Sequence, residues 1–433
     1  MKLRAAAVAA FLVLLSAASA NAAGVGAVPV VTRTDGVTLI TQQDAAAPLV
    51  HVVYVVRAGL DRQSLAQNGI AALTAQTILD TPANGVQLSD AIAAAGGSIS
   101  FIVDPGDVRF EIEALPQDAD KVLALARQAL GAPAIDAPTV HAARELLITR
   151  IAENQQIALQ VGLDMLSSSL ATSANAGLPE FGLPASLAQL GPSDVRAFYA
   201  TYYRRGGSYV SAAGRIDALA AGSLDQLGMV LPEGSTTAVS VKLPKLVGAS
   251  RQLVAQRDIA APWLIAQYPA PAVASKDYGP MLVLASFMQR TLADMADVPG
   301  VVSETYASRA VGAVYQYEDV QPGLVLYVNG GIGNPNRSFE TALSIANILA
   351  TTKLEGSIDE FKAMAAGDFI SSTNTLEARA WLAVVYDENG AQPDYITRTL
   401  DAIEQTTPAD LQRVAREYLS NPTIALVVPR EDS

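Results

Sequence analysis

Asn68 to Asp80 reads NGIAALTAQTILD, and it follows the apolar run LVHVVYVV from Leu49 to Val56 across a polar break, Arg57 to Gln67. An eight-residue run that is apolar but for His51 and rich in valine predicts a buried strand. Ile70, Leu73, Thr74, Thr77 and Ile78 recur at helical spacing, which predicts a helix with one packed face. The unit is therefore strand, polar turn, then a helix opening on Asn-Gly.

Working outward, Val28 to Thr41 predicts a hairpin, with Asp35-Gly36 as a two-residue turn between VPVVTRT and VTLIT. Leu88 to Ala95 predicts a helix ended by a left-handed cap at Gly96-Gly97. Strands are expected at Ser98–Val103 and Val108–Leu115, joined at Asp104-Pro105-Gly106. Helices are expected over Asp118–Leu130, Ala137–Glu153, Ala158–Thr172 and Ser193–Tyr203, and a closing strand over Ser208–Gly214. The second half follows a similar order. Its strands fall near Trp263–Tyr268, Val301–Tyr306, Ala313–Tyr317 and Gly323–Val328. Its helices fall at Gly279–Ala296, Ser338–Thr352, Ser357–Thr373 and Asn374–Tyr386, before a last helix and strand.

One internal match makes this a repeat. GPSDVRAFYATY from Gly191 is echoed by TPADLQRVAREY from Thr407, each copy followed by a strand. Proline with aspartate beside it is an ordinary helix start; paired at one place in two halves it indicates a duplicated unit. Leu231 to Ala261 has no sustained period and is expected to be the linker.

Half of the residues are hydrophobic, and the formal net charge is −13 with a pI near 4.7. That balance argues against nucleic acid and anionic membrane surfaces as partners. There is no cysteine, so thiol catalysis and thiolate metal sites are excluded and stability must come from core burial. Lys2 and Arg4, the apolar run Ala5 to Leu15, and Ala20-Asn21-Ala22 have the form of a secretory signal peptide. Residues 1–22 are thus expected to be removed and the mature protein to be periplasmic, with no membrane span.

The strand ending Val56-Arg57-Ala58-Gly59 and the helix opening Gly69-Ile70-Ala71-Ala72-Leu73 resemble the insulinase/pitrilysin family of zinc peptidases. The closing Pro408-x-Asp410-Leu411-x-x-Val414-Ala415-x-x-Tyr418 resembles that family's carboxy-terminal pattern. The resemblance implies an α+β fold of two tandem homologous lobes, each a mainly antiparallel sheet flanked by helices. Their expected bounds are 23–230 and 262–433, joined by the linker 231–261. It also implies a zinc site, because two histidines at i and i+4 can grip one metal while a glutamate between them activates water. Here the first histidine falls on Ala72, the glutamate on Ala75 and the second histidine on Gln76. The third ligand, a glutamate on a later helix, falls on Arg150, a permanent cation. The nearby Glu145 would have no histidines to join. An arginine and a tyrosine that hold the substrate backbone in such families fall on Ala296 and Ser303. Tyr306 and Arg309 lie close by without the required spacing, and Arg379 and Tyr386 have the spacing but sit elsewhere. No catalytic, cofactor-binding or metal-binding residue is therefore assigned.

The remaining candidates read as structural. His51 lies inside a strand. His141 stands one turn from Glu145, which suits a surface hydrogen bond. No Gly-x-Ser-x-Gly elbow is present. Arg109, Glu111 and Glu113 share one strand face beside Asp104 and Asp107. This strip is expected to be a solvated face; its alternative is the wall of an internal chamber or a partner interface. Tyr202-Tyr203 and Tyr315/Tyr317 read as packing residues, and Asn329 to Gly333 as a turn after a strand. Whether the chain is itself an enzyme is left open. The expectation is a catalytically inactive subunit that pairs with a zinc-bearing homologue, its concave sheet faces helping to enclose a peptide chamber. The alternative is a stand-alone peptide-binding or scaffolding homodimer.

Overall fold

The computed structural model describes residues 27–171, 177–236, 251–296, 311–317, 322–330, 335–351 and 357–430. The leader 1–22 and the expected strand 301–306 lie outside them. Asp35 and Gly36 both take left-handed backbone, with φ of 50° and 82°. They join β1 (Val30–Thr34) to β2 (Val37–Gln43) as the Asp-Gly signal required. There follow β3 (Val50–Val56), α1 (Ile70–Leu79), the short pair β4 (Pro82–Ala83) and β5 (Val86–Gln87), and α2 (Leu88–Ala94). Gly96 takes the left-handed cap, φ 80°, while Gly97 already begins β6 (Gly97–Val103), which pairs with β7 (Val108–Ala114). The first half continues through α3 (Ala119–Gly131), α4 (Ala137–Asn154), α5 (Ala158–Leu170), α6 (Pro184–Leu187) and α7 (Pro192–Tyr202) to β8 (Ser208–Gly214) and α8 (Ser223–Gly228).

The second half contains β9 (Arg251–Arg257), β10 (Trp263–Pro269), α9 (Tyr278–Ala296), β11 (Val311–Gln316) and β12 (Gly323–Asn329). It ends with α10 (Pro335–Thr351), α11 (Asp359–Ser372), α12 (Leu376–Glu388), α13 (Tyr395–Glu404), α14 (Pro408–Tyr418) and β13 (Thr423–Pro429). The short elements β4, β5, α6 and α8 of the first half lack a sequence expectation, as do two elements of the second half. One is α13. The other is β9, which occupies part of the stretch expected to be linker: Arg251 to Arg257 pair with β13 in the second sheet. As an edge strand, β9 carries only weak alternation, RQLVAQR. At the other end of that stretch, Ser235 forms a bridge to Gly206. The described parts of the expected linker are therefore largely built into the lobes.

The duplication is visible in the sheets. The first has strand order β1-β2-β8-β3-β7-β6 and the second β11-β12-β10-β13-β9. Reading the second from its other edge, β9-β13-β10-β12-β11 matches β2-β8-β3-β7-β6 strand for strand. In both, the pair β2–β8 or β9–β13 is parallel and the remaining pairs are antiparallel. The echoed helices α7 and α14 start alike. The carboxylate of Asp194 accepts the Gly191 N–H at 2.9 Å, and that of Asp410 accepts the Thr407 N–H at 3.1 Å, each satisfying a free donor ahead of the helix.

The lobes exchange helices. α5, from the first half, packs on β10 and β13 of the second sheet, and α12, from the second half, packs on β2, β3 and β8 of the first. Val53, Val55, Tyr209 and Ala213 on the inner face of the first sheet thus share a core with Trp381 and Val385 of α12. This explains why β3 is buried at every residue. Part of one face of each sheet is thus covered by a helix from the other half of the chain. Leaving Val53 and Val55 in water would forfeit about 1.5–3 kcal/mol for each side chain.

Candidate functional site

α1 is where the family resemblance predicts metal chemistry. All ten of its residues are buried, which corrects the expectation of one packed face. α4 and α7 cover the side turned away from β6. The sequence carries a sign of this, since Ile70 to Leu79 contain no charge and a helix apolar all round is a buried one. Thr74 and Thr77 survive burial by donating to the Ile70 and Leu73 carbonyls at 2.8 and 2.7 Å. Ala72 and Ala75 have no exposure. The Gln76 amide, 3% exposed, donates to Asp80 Oδ1 at 2.9 Å. Burial raises the Asp80 carboxyl, while that hydrogen bond and the nearby Arg150 on α4 draw it down. Arg150 also holds its guanidinium 5.9 Å from the ring centres of both Phe101 and Phe181.

The structure thus brings Gln76, Asp80 and Arg150 together where the predicted ligand columns lie. The set does not fit zinc. Alanine methyl groups have no lone pair, a guanidinium cannot ligate, and Asp80 is engaged by Gln76. Among the described residues no three His, Asp or Glu side chains converge closely enough to hold a metal ion. Glu145 is exposed and faces His141, so it does not join the group.

A second constellation lies between the lobes. A pocket of about 560 Å³ is lined by Leu163, Asp164 and Glu180 from the first lobe, by Trp381, Val385 and Glu388 of α12, and by the β6–β7 turn. That turn is fixed by Gly59, where any Cβ would come within 2.3 Å of the Asp107 nitrogen and 2.4 Å of the Asp104 carbonyl. Asp107 is 5% exposed and accepts from Arg57 Nη1 at 3.1 Å; Arg57 also pairs with Glu388. Arg109 lies 4.0 Å over the Trp381 ring, 3.3 Å from Glu111 and 3.9 Å from Asp104. The charged strip is therefore no solvated face. Arg109, Glu111 and Glu113 do share one side of β7, but α12 lies against that side, and only Glu113 keeps substantial exposure. Burial, with the nearby charges of Asp104 and Glu388, pushes Asp107 up to about 8 against the pull of Arg57 and Arg109. Burial, partly offset by the Val103 N–H and reinforced by Asp104 and Asp164, pushes Glu180 up to about 7.

No family model matches the sequence, and no curated protein matches it. Solved structures do. A protease from Helicobacter pylori superposes with a TM-score of 0.76 at 15% identity, covering 93% of this chain and 100% of the other. An inactive peptidase M16 domain from Pseudomonas fluorescens gives 0.76 at 14%, covering 93% and 98%. A chain of complex III from Candida albicans gives 0.70 at 16%, covering 92% and 95%. The fold is insulinase/pitrilysin-like, that of the M16 peptidases.

Within this M16-like frame the other candidates are structural. His51 is buried between β7 and β8, its Nδ1 3.9 Å from Glu113, and burial lowers its pKa. His141 is exposed and 3.1 Å from Arg144 Nη2. Tyr203 is buried and stacked on Tyr199, and Tyr202 packs on Phe198. Tyr315 and Tyr317 contact Tyr278 in the second core. Arg379 and Tyr386 serve different ends: Arg379 Nη1 reaches Asp44 Oδ2 at 3.0 Å across the lobes, while the Tyr386 hydroxyl meets that of Tyr278 at 2.6 Å. Ser303, Tyr306, Arg309 and Gly331 to Gly333 lie outside the described residues, as does the Ala296 side chain. Sequence reasoning missed Asp164, Glu180, Trp381 and Glu388. Asp164 carried a signal, being the only charge in α5. Glu180, in a connection, carried none.

Proposed function

We propose that the protein is a catalytically silent M16-like subunit that acts in the periplasm beside a zinc-bearing homologue, helping to shape that partner's peptide chamber. One observation carries the reading: the columns that would hold zinc and its base are Ala72, Ala75, Gln76 and Arg150, packed and hydrogen-bonded into a closed α1–α4 interface. The fold alone does not decide, because similar structures include both a protease and a domain described as inactive; function rests on the site. The complex III neighbour supports a role inside a larger assembly.

The isolated mature chain is expected to retain no stoichiometric zinc and to show no chelator-sensitive peptide hydrolysis. Co-expressed with a homologue bearing His-x-x-Glu-His, it should purify as a stable complex whose activity depends on both chains. Chelator-sensitive cleavage by the lone chain would overturn the silent assignment. Self-association without a homologue would favour the stand-alone homodimer. Arg150→Glu should lower stability by about 1–3 kcal/mol, because it removes the cation between two rings and sets a carboxylate near Asp80. It should leave metal content unchanged, as inductively coupled plasma analysis would record.

A further inference from the structure

The pocket between the lobes has a composition that nothing so far uses. Among the described residues five carboxylates line it, Asp104, Asp107, Asp164, Glu180 and Glu388, and no lysine, arginine or histidine does. Two arginines stand behind the wall, and both are shared: Arg57 serves Asp107 and Glu388, and Arg109 serves Asp104 and Glu111. Among the described residues Asp164 and Glu180 have no ion-pair partner. Asp164 accepts one bond from the Gln160 amide at 2.8 Å, and Glu180 one from the Val103 N–H at 3.4 Å. Asp107, nineteen-twentieths buried, leaves Oδ1 without any donor, and Asp104 Oδ2 is likewise buried without one. A buried carboxylate oxygen with no donor is costly.

The negative charge is spread along the wall rather than gathered, since no three of these groups are close enough to hold a metal ion. Leu163, Leu170, Trp381 and Val385 fill the wall between them. A long side chain or amine with an apolar stem and charged ends suits such a surface, because the stem packs on the hydrocarbon while each head meets a carboxylate.

We propose that this pocket binds an aliphatic cation: an ammonium or guanidinium carried on an alkyl stem, seated between Asp164 and Glu180 on one side and Asp104, Asp107 and Glu388 on the other. A basic side chain of a peptide and a free polyamine share that chemistry. The site lies within one chain and needs no zinc-bearing partner, so it stands or falls apart from the subunit role. Binding should tighten as pH rises from about 6 to about 8.5. Glu180 faces Asp104, Asp164 and Arg109, and Asp107 faces Asp104, Glu388, Arg57 and Arg109; over that range both give up the protons that burial leaves on them.

The test is titration of the full mature chain, by calorimetry, with spermidine, with a blocked Lys-Leu-Lys peptide and with a blocked Glu-Leu-Glu peptide. Either basic probe should bind and the acidic one should not; which basic probe binds identifies the source. Asp164→Asn combined with Glu180→Gln should weaken binding at least about tenfold while thermal unfolding is nearly unchanged. Trp381 gives a second readout that needs no charge variant: in a Trp263→Phe background its fluorescence should respond to the basic probe. Failure of both basic probes, equal binding of the acidic peptide, a silent Trp381, or full affinity in a folded double variant would each overturn the site.

Discussion

α5 and α12 hold the same place in the two halves of a duplicated chain, yet they dock by different physics. α5 meets the second sheet through shape. Gly162 lies so close to β10 that a Cβ there would come within 2.4 Å of Ile265 Cδ1, and Val161 and Leu166 join Val325 and Val427 in a small apolar cluster. α12 meets the first sheet through charge at both ends as well as through its apolar middle. Arg379 near its start reaches Asp44. At its close, Asp387 takes two bonds from Arg33 Nη2, at 2.6 and 2.8 Å, and one from the Tyr209 hydroxyl at 3.1 Å, while Glu388 takes Arg57. Topology fixed where each helix lies, and composition decided what holds it. One seam is apolar and tight and the other is pinned by ion pairs, while both helices also line the pocket.

The largest expected effect is on the charged seam. Arg379 is 5% exposed; it bonds the Thr373 carbonyl at 3.3 Å as well as Asp44, and its own carbonyl accepts from Gln42. Arg379→Ala should cost about 3 kcal/mol, near the low end for breaking a buried pair because Asp44 can still reach water. Chemical denaturation with an unchanged m-value would report it. A loss under about 0.5 kcal/mol, the size of an exposed pair, would show that the apolar middle of α12 suffices.

A smaller loss is expected on the apolar seam. Gly162→Val should cost about 2 kcal/mol by overpacking, and Ile265→Ala in the same chain should recover part of it, because the two side chains compete for one space. Additive losses in the double variant would mean that α5 and β10 do not meet as described. Salt should leave this variant's deficit unchanged, since no charge is involved.

The two seams were unequally legible. The positions of strands and helices could be anticipated wherever runs were strongly patterned, as at Leu49 to Val56 and at the Pro-x-Asp helix starts, because local hydrogen bonding and burial pull the same way there. β9 was not, since an edge strand half open to water needs little alternation. The emptied metal columns could be placed by resemblance, yet Arg150's rings, Phe101 and Phe181, came from distant elements that no spacing rule joins. The pocket was hidden for a similar reason. Its carboxylates come from the β6–β7 turn, α5, a connection and α12, and Arg109, Glu111 and Glu113 alternate as a solvated face would. Only the helix exchange turns that alternation inward.

The smallest effect separates the seams by pH. In the folded chain burial and its neighbours hold Asp107 up to about 8, while an unfolded aspartate titrates near 3.9. Between those values the folded state carries a proton that the unfolded state lacks. Stability from this group is therefore complete at the acid end and falls as pH rises, by at most about 1.4 kcal/mol per pH unit, levelling off above 8. Glu180, at about 7, adds a slope of the same sign at lower pH. His51, lowered by burial, has the opposite sign and acts below its unfolded value near 6.5, so the window to examine is about pH 7 to 8.5. Unfolding temperature should drop across that window in the native chain. It should drop less in Asp107→Asn, where a neutral amide replaces the neutral acid, and Glu388→Gln should shrink the slope by removing one of the charges that raises Asp107. Gly162→Val should shift the whole curve without changing its slope. If Asp107→Asn leaves the slope intact, Asp107 is ionised against Arg57 in the folded chain, and the charged seam is an ordinary ion pair rather than a site short of positive charge.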